Sequence, residues 1–400
     1  MLSSVAWVPE YIDRLGVNFA TWGTILGFST AGAIIPLMFA SRVVLRFGSR
    51  YVIRAGLYLA MVFLVALGWI TDPVFWALTN AGFTFSMSFV GNAVNTHAVA
   101  IQSFVTKPIV TRLHAGWSIG AVLAALTGGA STVLLSLEIF LIGVAVITLV
   151  SFELLRPLLL SPDEDGHEAD RAIHVKRRIW QIPPQLLILA VGLFAAVYPE
   201  IAIVDWSAVF ARDILNADLS IRSLPFAFFM AGMITGRLAM PVLAEKIHPH
   251  TLASRGSLIA AGSLLSATLL AGPLAGINNW LGLGVTAGLW LVMGLGLSGV
   301  GPTYFAAAAH IPQVSTAWAL SRMQLMNQFA VIGAKALMGA IAEGFDVSIA
   351  YLFPVALLLL GAFIARKTTS LATPEDYEAV SPTTGTITLP IIRDDSDSKN

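Results

Sequence analysis

Long apolar runs, each closed by a short polar turn, repeat along this chain of 400 residues. Five lie at about 19–44, 52–71, 74–101, 110–134 and 136–155, and six more at about 186–210, 220–244, 252–272, 280–308, 314–342 and 347–365. At 1.5 Å per residue, about 20 mostly apolar residues in a helix cross the hydrocarbon core of a bilayer. The pattern predicts an all-α, polytopic membrane protein with 11 full spans. Between the two series, "RPLLLSPDEDGHEADRAIHVKRRIWQIPP" is polar and mixed in charge and reads as a connecting loop. From Thr368 on, the chain is rich in Ser, Thr, Asp and Pro and is expected to be a disordered tail. The expected organisation is an N-terminal helical bundle over 1–156, a central loop over 157–185, a C-terminal bundle over 186–367 and the tail over 368–400.

Composition agrees with a membrane protein. Hydrophobic residues make up 56% of the chain and charged ones 12%, with a mean hydropathy of +0.79; soluble domains run at about 45–50% and about 25%. Formal net charge is zero, so no global field draws the chain to nucleic acid. Cysteine is absent, which excludes disulfides and thiolate metal sites. Basic residues favour the cytoplasmic loops. Arg42, Arg46, Arg50, Arg54, Lys107, Arg112, Arg156, the Arg171–Arg178 region, Lys246, Arg255, Arg366 and Lys367 fall on alternate loops of one side, against Arg14, Arg212 and Arg222 on the other. The central loop and the C-terminus are therefore expected in the cytoplasm, in an inner, multi-pass membrane location.

The two series also repeat each other. At an offset of 200, Asp13, Leu15, Phe28, Ala31, Gly32, Ile34 and Gly56 meet Asp213, Leu215, Phe228, Ala231, Gly232, Ile234 and Gly256, and Arg46 meets Lys246. Farther on the offset is 210, and Gly91, Ala98, Arg112 and Gly129 meet Gly301, Ala308, Arg322 and Gly339. In this register Trp7 faces Trp206 with a one-residue slip, so Met1 corresponds to about Glu200, inside the seventh helix. The expectation is a six-plus-six parallel pseudo-repeat whose first helix is incomplete here, with the natural start upstream.

Two six-helix halves, a basic loop after the second helix of each and a long central loop resemble the major facilitator superfamily (MFS) of secondary transporters, over nearly the whole chain. Of that family's cytoplasmic motif, "SRVVLRFGSR" keeps Arg46, Gly48 and Arg50, with Leu45 where Asp is expected, and the second copy, "GRLAMPVLAEKIHP", keeps Arg237, Glu245 and Lys246. "AVNTHAVAIQSFVTKPIVTRLHAGWSIGAV" and "PEIAIVDWSAVF" look like the fourth-to-fifth and seventh helices of a bacterial inner-membrane, sugar-permease-like subgroup, with Ile101, Gln102 and Ser103 replacing that subgroup's Val-Glu-Arg. The resemblance implies the two-bundle MFS fold, gating roles for the motif residues, no cofactor, and a small solute moved by rocking halves.

Ionisable residues at membrane depth usually face the bundle interior or a wet cavity. Here they are His97, His114, Glu200, Asp205, Arg237, Arg322 and Lys335. Glu200 and Asp205 are five apart, about 140° around a helix, so they point different ways. Glu200 is the leading candidate to exchange a proton, with Asp205 the second; the plainer alternative is an interhelical pin. On the fourth helix Ser88, Asn92, Asn95 and Gln102 form one polar stripe suited to a neutral or zwitterionic solute, or to helix–helix hydrogen bonds. The eleventh helix carries Gln324, Asn327 and Gln328, which at the 210 offset face His114, Trp117 and Ser118. Trp117 offers an apolar plate for a sugar ring or aromatic, and His114, on the same face, is either a group of the kind that titrates near neutral pH or, more plainly, a structural hydrogen bonder; Trp206 is a further substrate-binding candidate. Arg237 either anchors backbone carbonyls or binds an anion. Lys335 either holds an anionic group or snorkels outward.

Enzyme signatures fail on context. "GWSIG" at Gly116–Gly120 lies inside a membrane helix and not on a strand-turn-helix elbow. "GLSG" at Gly296–Gly299 lacks a facing base at its depth, since His310 ends the same helix. His248 and His250 have no further metal ligands nearby, and no Walker-type loop occurs. The reading is a monomeric, proton-coupled secondary transporter that is not an enzyme. A polytopic sensor that binds its solute without moving it is the alternative.

Overall fold

The computed structural model describes residues 2–104, 110–161, 182–309, 311 and 316–368, and among these the chain forms helices only. After a 3-10 segment at Leu2–Trp7 come α1 (Val8–Leu15), α2 (Phe19–Ala31), α3 (Ile34–Phe47), α4 (Ser49–Ala66), α5 (Pro73–Ser103), α6 (Val110–Leu134) and α7 (Leu137–Leu155). The second series comprises α8 (Pro184–Asp213), α9 (Leu224–Ala244), α10 (Pro249–Ile277), α11 (Asn279–Leu297), α12 (Val300–Ala309), α13 (Thr316–Gly344), α14 (Val347–Ala350) and α15 (Leu352–Thr368). The tail, most of the central loop, and Lys107 and His310 lie outside the described residues.

Nine helical segments among the described residues are long and apolar enough to cross a membrane. Two of the eleven expected runs fall outside that set. The 31-residue α5 carries Asn80, Asn92 and Asn95, and the continuous apolar part of α6 is Ile119–Leu134. In α5 the amides dilute the apolar run, while the described apolar stretch of α6, Ile119–Leu134, is shorter than a full span.

Turn chemistry is concentrated at one end of the bundle. Gly16, at φ 60°, closes α1, and Asn18 Oδ1 then caps α2 by accepting from Thr21 N–H at 2.9 Å. Asp72 accepts from the N–H groups of Val74 and Phe75 at the start of α5, Asn278 from Trp280 and Leu281 at the start of α11, and Asp346 from Ile349 at α14. Each cap satisfies donors that a helix start leaves unpaired.

Pseudo-symmetry is visible in the glycine contacts. A Cβ on Gly32 would stand 2.2 Å from the Ala81 carbonyl oxygen, and one on Gly232 2.0 Å from that of Leu291. Gly56 meets Val90 Cγ2 and the Ser86 carbonyl, while Gly256 meets Val300 Cγ2 and the Gly296 carbonyl. Every pair is related by the offsets of 200 and 210 read from the sequence, so the same helix crossings are built twice. Only glycine permits backbones this close.

Contacts between the two series follow the same rule. Gly339 of α13 packs on Gly23 and Phe19 of α2, and Gly129 of α6 packs on Ser223 and Ser220 beside α9. Gly339 corresponds to Gly129, and Gly23 to Ser223. At the same end Arg212 Nη1 lies 3.2 Å from Asp13 Oδ1, the Phe19 N–H donates to Glu343 Oε2 at 2.9 Å, and Thr132 Oγ1 donates to the Leu219 carbonyl at 3.2 Å. This end, opposite the basic loops, is sealed.

Within the first series Arg14 ties three elements together. It pairs with Glu10 and Glu138 and donates to the Gly68 carbonyl at 3.0 Å. Arg14→Met strands the Glu138 carboxylate, and loss of one partner from a partly buried pair costs about 2–3 kcal/mol. A fall in the thermal midpoint of the detergent-purified protein checks it, with Glu138→Gln in the same background restoring part of the loss.

Candidate functional site

The sequence puts an acid on one apolar helix and a base on another, and the fold brings them together. Lys335 Nζ of α13 lies 2.9 Å from Asp205 Oδ2 of α8, with both side chains 12% exposed. The ammonium approaches outside hydrogen-bond angles, so Oδ2 has no aligned donor. Around the pair, Tyr198 Oη donates to the Ala334 carbonyl at 2.8 Å and Tyr351 Oη to that of Ala202, fixing α8 against α13 and α15. Buried charges are tolerated when paired. The sequence held one signal for this contact: each residue interrupts an apolar helix and needs a partner. Their separation of 130 positions hid which partner.

Glu200 lies about a turn and a half away on α8, directly after Pro199, whose ring removes one backbone donor from the helix. It is half-buried and makes no hydrogen bond or ion pair among the described residues. Arg237 of α9, also half-buried, is the cation whose field reaches it.

The remaining candidates distribute unevenly. Asn92 is half-buried and its Nδ2 donates back to the Ser88 carbonyl at 2.8 Å, while Asn95 is exposed. Gln324 is exposed, and Asn327 and Gln328 are half-buried, with Asn327 Oδ1 lacking a hydrogen-bond donor. Trp206 is fully buried, its ring edge-on to Phe19 at 5.8 Å, so in this conformation it packs the sealed end. His114 and Trp117 sit on α6 with side chains outside the described residues, as does Gln102 on α5. Among the motif residues, Gly48 at φ 79° turns the chain from α3 into α4, Arg46 is exposed over the Phe47 ring, Arg50 is half-buried, and Glu245 and Lys246 are exposed. His97 is a structural pin: the Leu160 N–H donates to Nε2 at 3.2 Å, which leaves Nδ1 to carry the proton toward Ser49 Oγ at 2.7 Å.

Sequence reasoning missed an aromatic cluster. Tyr11, Trp22 and Trp76 stand with ring centroids 5.1–6.5 Å apart and line a cavity that also touches Asp205. No spacing rule joins residues from three helices, and unpaired indole N–H groups are visible only in three dimensions.

No protein-family model matches the chain. An uncharacterized MFS-type transporter of Yersinia pestis is 24% identical over 372 residues, 92% of each protein. The uncharacterized transporter y4wD of Sinorhizobium fredii is 28% identical over 307 residues, 76% of each, and the membrane protein MosC of Rhizobium meliloti is 26% identical over 368 residues, 88% of this chain and 83% of that one. Among solved structures, a variant of the nucleoside transporter NupG superposes with a TM-score of 0.73 at 13% identity, covering 92% of this chain and 96% of its own. A bacterial homologue of the lysosomal transporter Spinster, in an inward-facing and occupied conformation, gives 0.65 at 15% identity with 94% coverage of both. The chain is thus a multi-pass membrane protein that shares the fold of these solved transporters and is similar over most of its length to a relative that bears the name of the major facilitator superfamily.

Proposed function

We propose that the chain is a secondary transporter that moves a small solute across the inner membrane by alternating access, coupled to protons. The observation that carries this reading is the placement of the contacts between the two series. Among the described residues, the hydrogen bonds, ion pair and glycine crossings that join them gather at one end, while Asn95, Gln324 and Ser321 stand exposed toward the other. Exposed amides at membrane depth need water, so they belong to a wet cavity between the bundles over 1–156 and 186–367. Basic residues mark the open end as cytoplasmic, which makes this the inward-facing state. Opening the other end requires exchanging two pseudo-symmetric crossings for their counterparts, and a solute bound between the halves biases that exchange by its differential affinity.

The polar groups near the cavity divide the work. In this reading Asn92, Asn95, Gln324, Asn327 and Gln328 bind a solute with hydroxyl, amide or zwitterionic groups, with His114 and Trp117, whose side chains lie outside the described residues, as the further candidates the sequence offers. Glu200 is free to carry the proton.

A thermal-shift screen of sugars, amino acids and cationic drugs on the purified monomer identifies a ligand, and proteoliposomes then test its movement. Counterflow of labelled ligand into preloaded vesicles is the expected result. Saturable binding with no flux in either direction would overturn the transporter reading in favour of a sensor.

A further inference from the structure

The cavity beside the sealed end has one wall from each half. Ser4, Tyr11, Trp22 and Trp76 line it from the first and Asp205 from the second. Four of these residues hold buried polar atoms without a hydrogen-bond partner: Ser4 Oγ, Trp22 Nε1, Trp76 Nε1 and Asp205 Oδ2. Buried polar atoms are paired as a rule, so four around one cavity describe what it lacks. Two indoles offer donors, a carboxylate offers an acceptor, and a hydroxyl can serve as either. Asp205 is the single charged group on the wall, and three aromatic rings surround the same space.

We infer that this cavity binds a small protonated amine that also carries an oxygen acceptor, and that it does so in competition with Lys335. The ammonium group donates to Asp205 Oδ2 and lies against the aromatic faces, whose quadrupoles attract a cation. The oxygen accepts from an indole N–H. An anion is excluded by Asp205, and a neutral polyol gains nothing from the rings' charge attraction. Lys335 already neutralises Asp205, so an entering cation makes the buried site net positive until Lys335 gives way. Binding therefore loosens the link between α8 and α13, and α13 is the helix that seals against α2.

As a substrate site this rests on the transport reading; as a binding site it does not, so the test uses binding without flux. Ethanolamine is titrated against the detergent-purified full chain at constant ionic strength, following tryptophan fluorescence and thermal shift, with ethylene glycol as the uncharged control. Ethanolamine is expected to give a saturable response that ethylene glycol does not. Lys335→Met, which removes the competitor, should tighten binding about tenfold, equivalent to about 1.4 kcal/mol. The charge-balanced double variant Asp205→Asn/Lys335→Met should abolish the response, and Trp76→Phe, which keeps a ring but removes the donor, should weaken it. A gain on removing Lys335 is the reverse of what a structural role would give. No saturable response in the wild type or Lys335→Met, equal responses to the two probes, or unchanged affinity in the double variant would each overturn the inference.

Discussion

Valine at position 339 will force the sealed end apart. A Cβ there would lie 2.5 Å from the Phe19 carbonyl oxygen and 2.8 Å from Gly23 Cα, both backbone atoms with no rotamer to yield. The pseudo-symmetric position is different in kind: at Gly129 the first obstacle, at 2.3 Å, is the Ser223 hydroxyl, which can turn away. Overpacking a tight contact costs about 1–3 kcal/mol, which shifts a two-state equilibrium by roughly 5- to 150-fold. Gly339→Val should carry that cost in the sealed state alone, because in the proposed alternating-access cycle the opposite state separates α2 from α13 here; Gly129→Ala should cost far less. The chain has no cysteine, so a single Val204→Cys, on the cavity wall behind the seal, reports the change. Impermeant maleimide added from the sealed side should label it faster in Gly339→Val than in the parent, with little change for Gly129→Ala. Equal labelling in all three would show that this crossing does not hold the seal.

The crossing also shows what the sequence made legible. Glycine contacts leave a trace because no other residue substitutes, and so Gly32, Gly56 and Gly129 met Gly232, Gly256 and Gly339 by simple counting. Helix starts were equally readable, since Asn18, Asp72, Asn278 and Asp346 stand immediately before apolar runs and cap them. Through-space partners left no such trace. Asp205 and Lys335 each stood out as ionisable residues in apolar helices, yet nothing in the spacing paired them. Tyr11, Trp22 and Trp76 were harder still, because an aromatic residue in an apolar run is unremarkable until its N–H is found buried without a partner. Trp206, read as a binding candidate beside an acid on the seventh helix, is buried edge-on to Phe19 in this conformation, a contact that no spacing rule announced.

Replacing Glu200 by Gln should separate proton movement from solute binding. Among the described acids of the candidate spans, Glu138 pairs with Arg14, Glu153 with Arg54 and Arg156, Asp205 with Lys335 and Asp213 with Arg212, and Glu343 accepts from the Phe19 N–H. Glu200 has no direct partner, so it alone can gain or lose a proton without breaking a bond that holds helices together. In the proposed rocking cycle its place after Pro199, on the helix that also carries Asp205, would change its access to water. Gln keeps the size and the hydrogen-bonding capacity but cannot titrate. In proteoliposomes loaded with a pH dye, the solute-driven pH change that the proposed coupling predicts for the wild type should vanish in Glu200→Gln, while solute counterflow, which needs no net proton movement, persists. Asp205→Asn should behave differently, since it strands the Lys335 ammonium and costs about 3–5 kcal/mol of stability, lowering counterflow and proton movement together. If Glu200→Gln retains the wild-type pH change, the proton is carried elsewhere, and Asp205, released from Lys335 during the cycle, becomes the group to test.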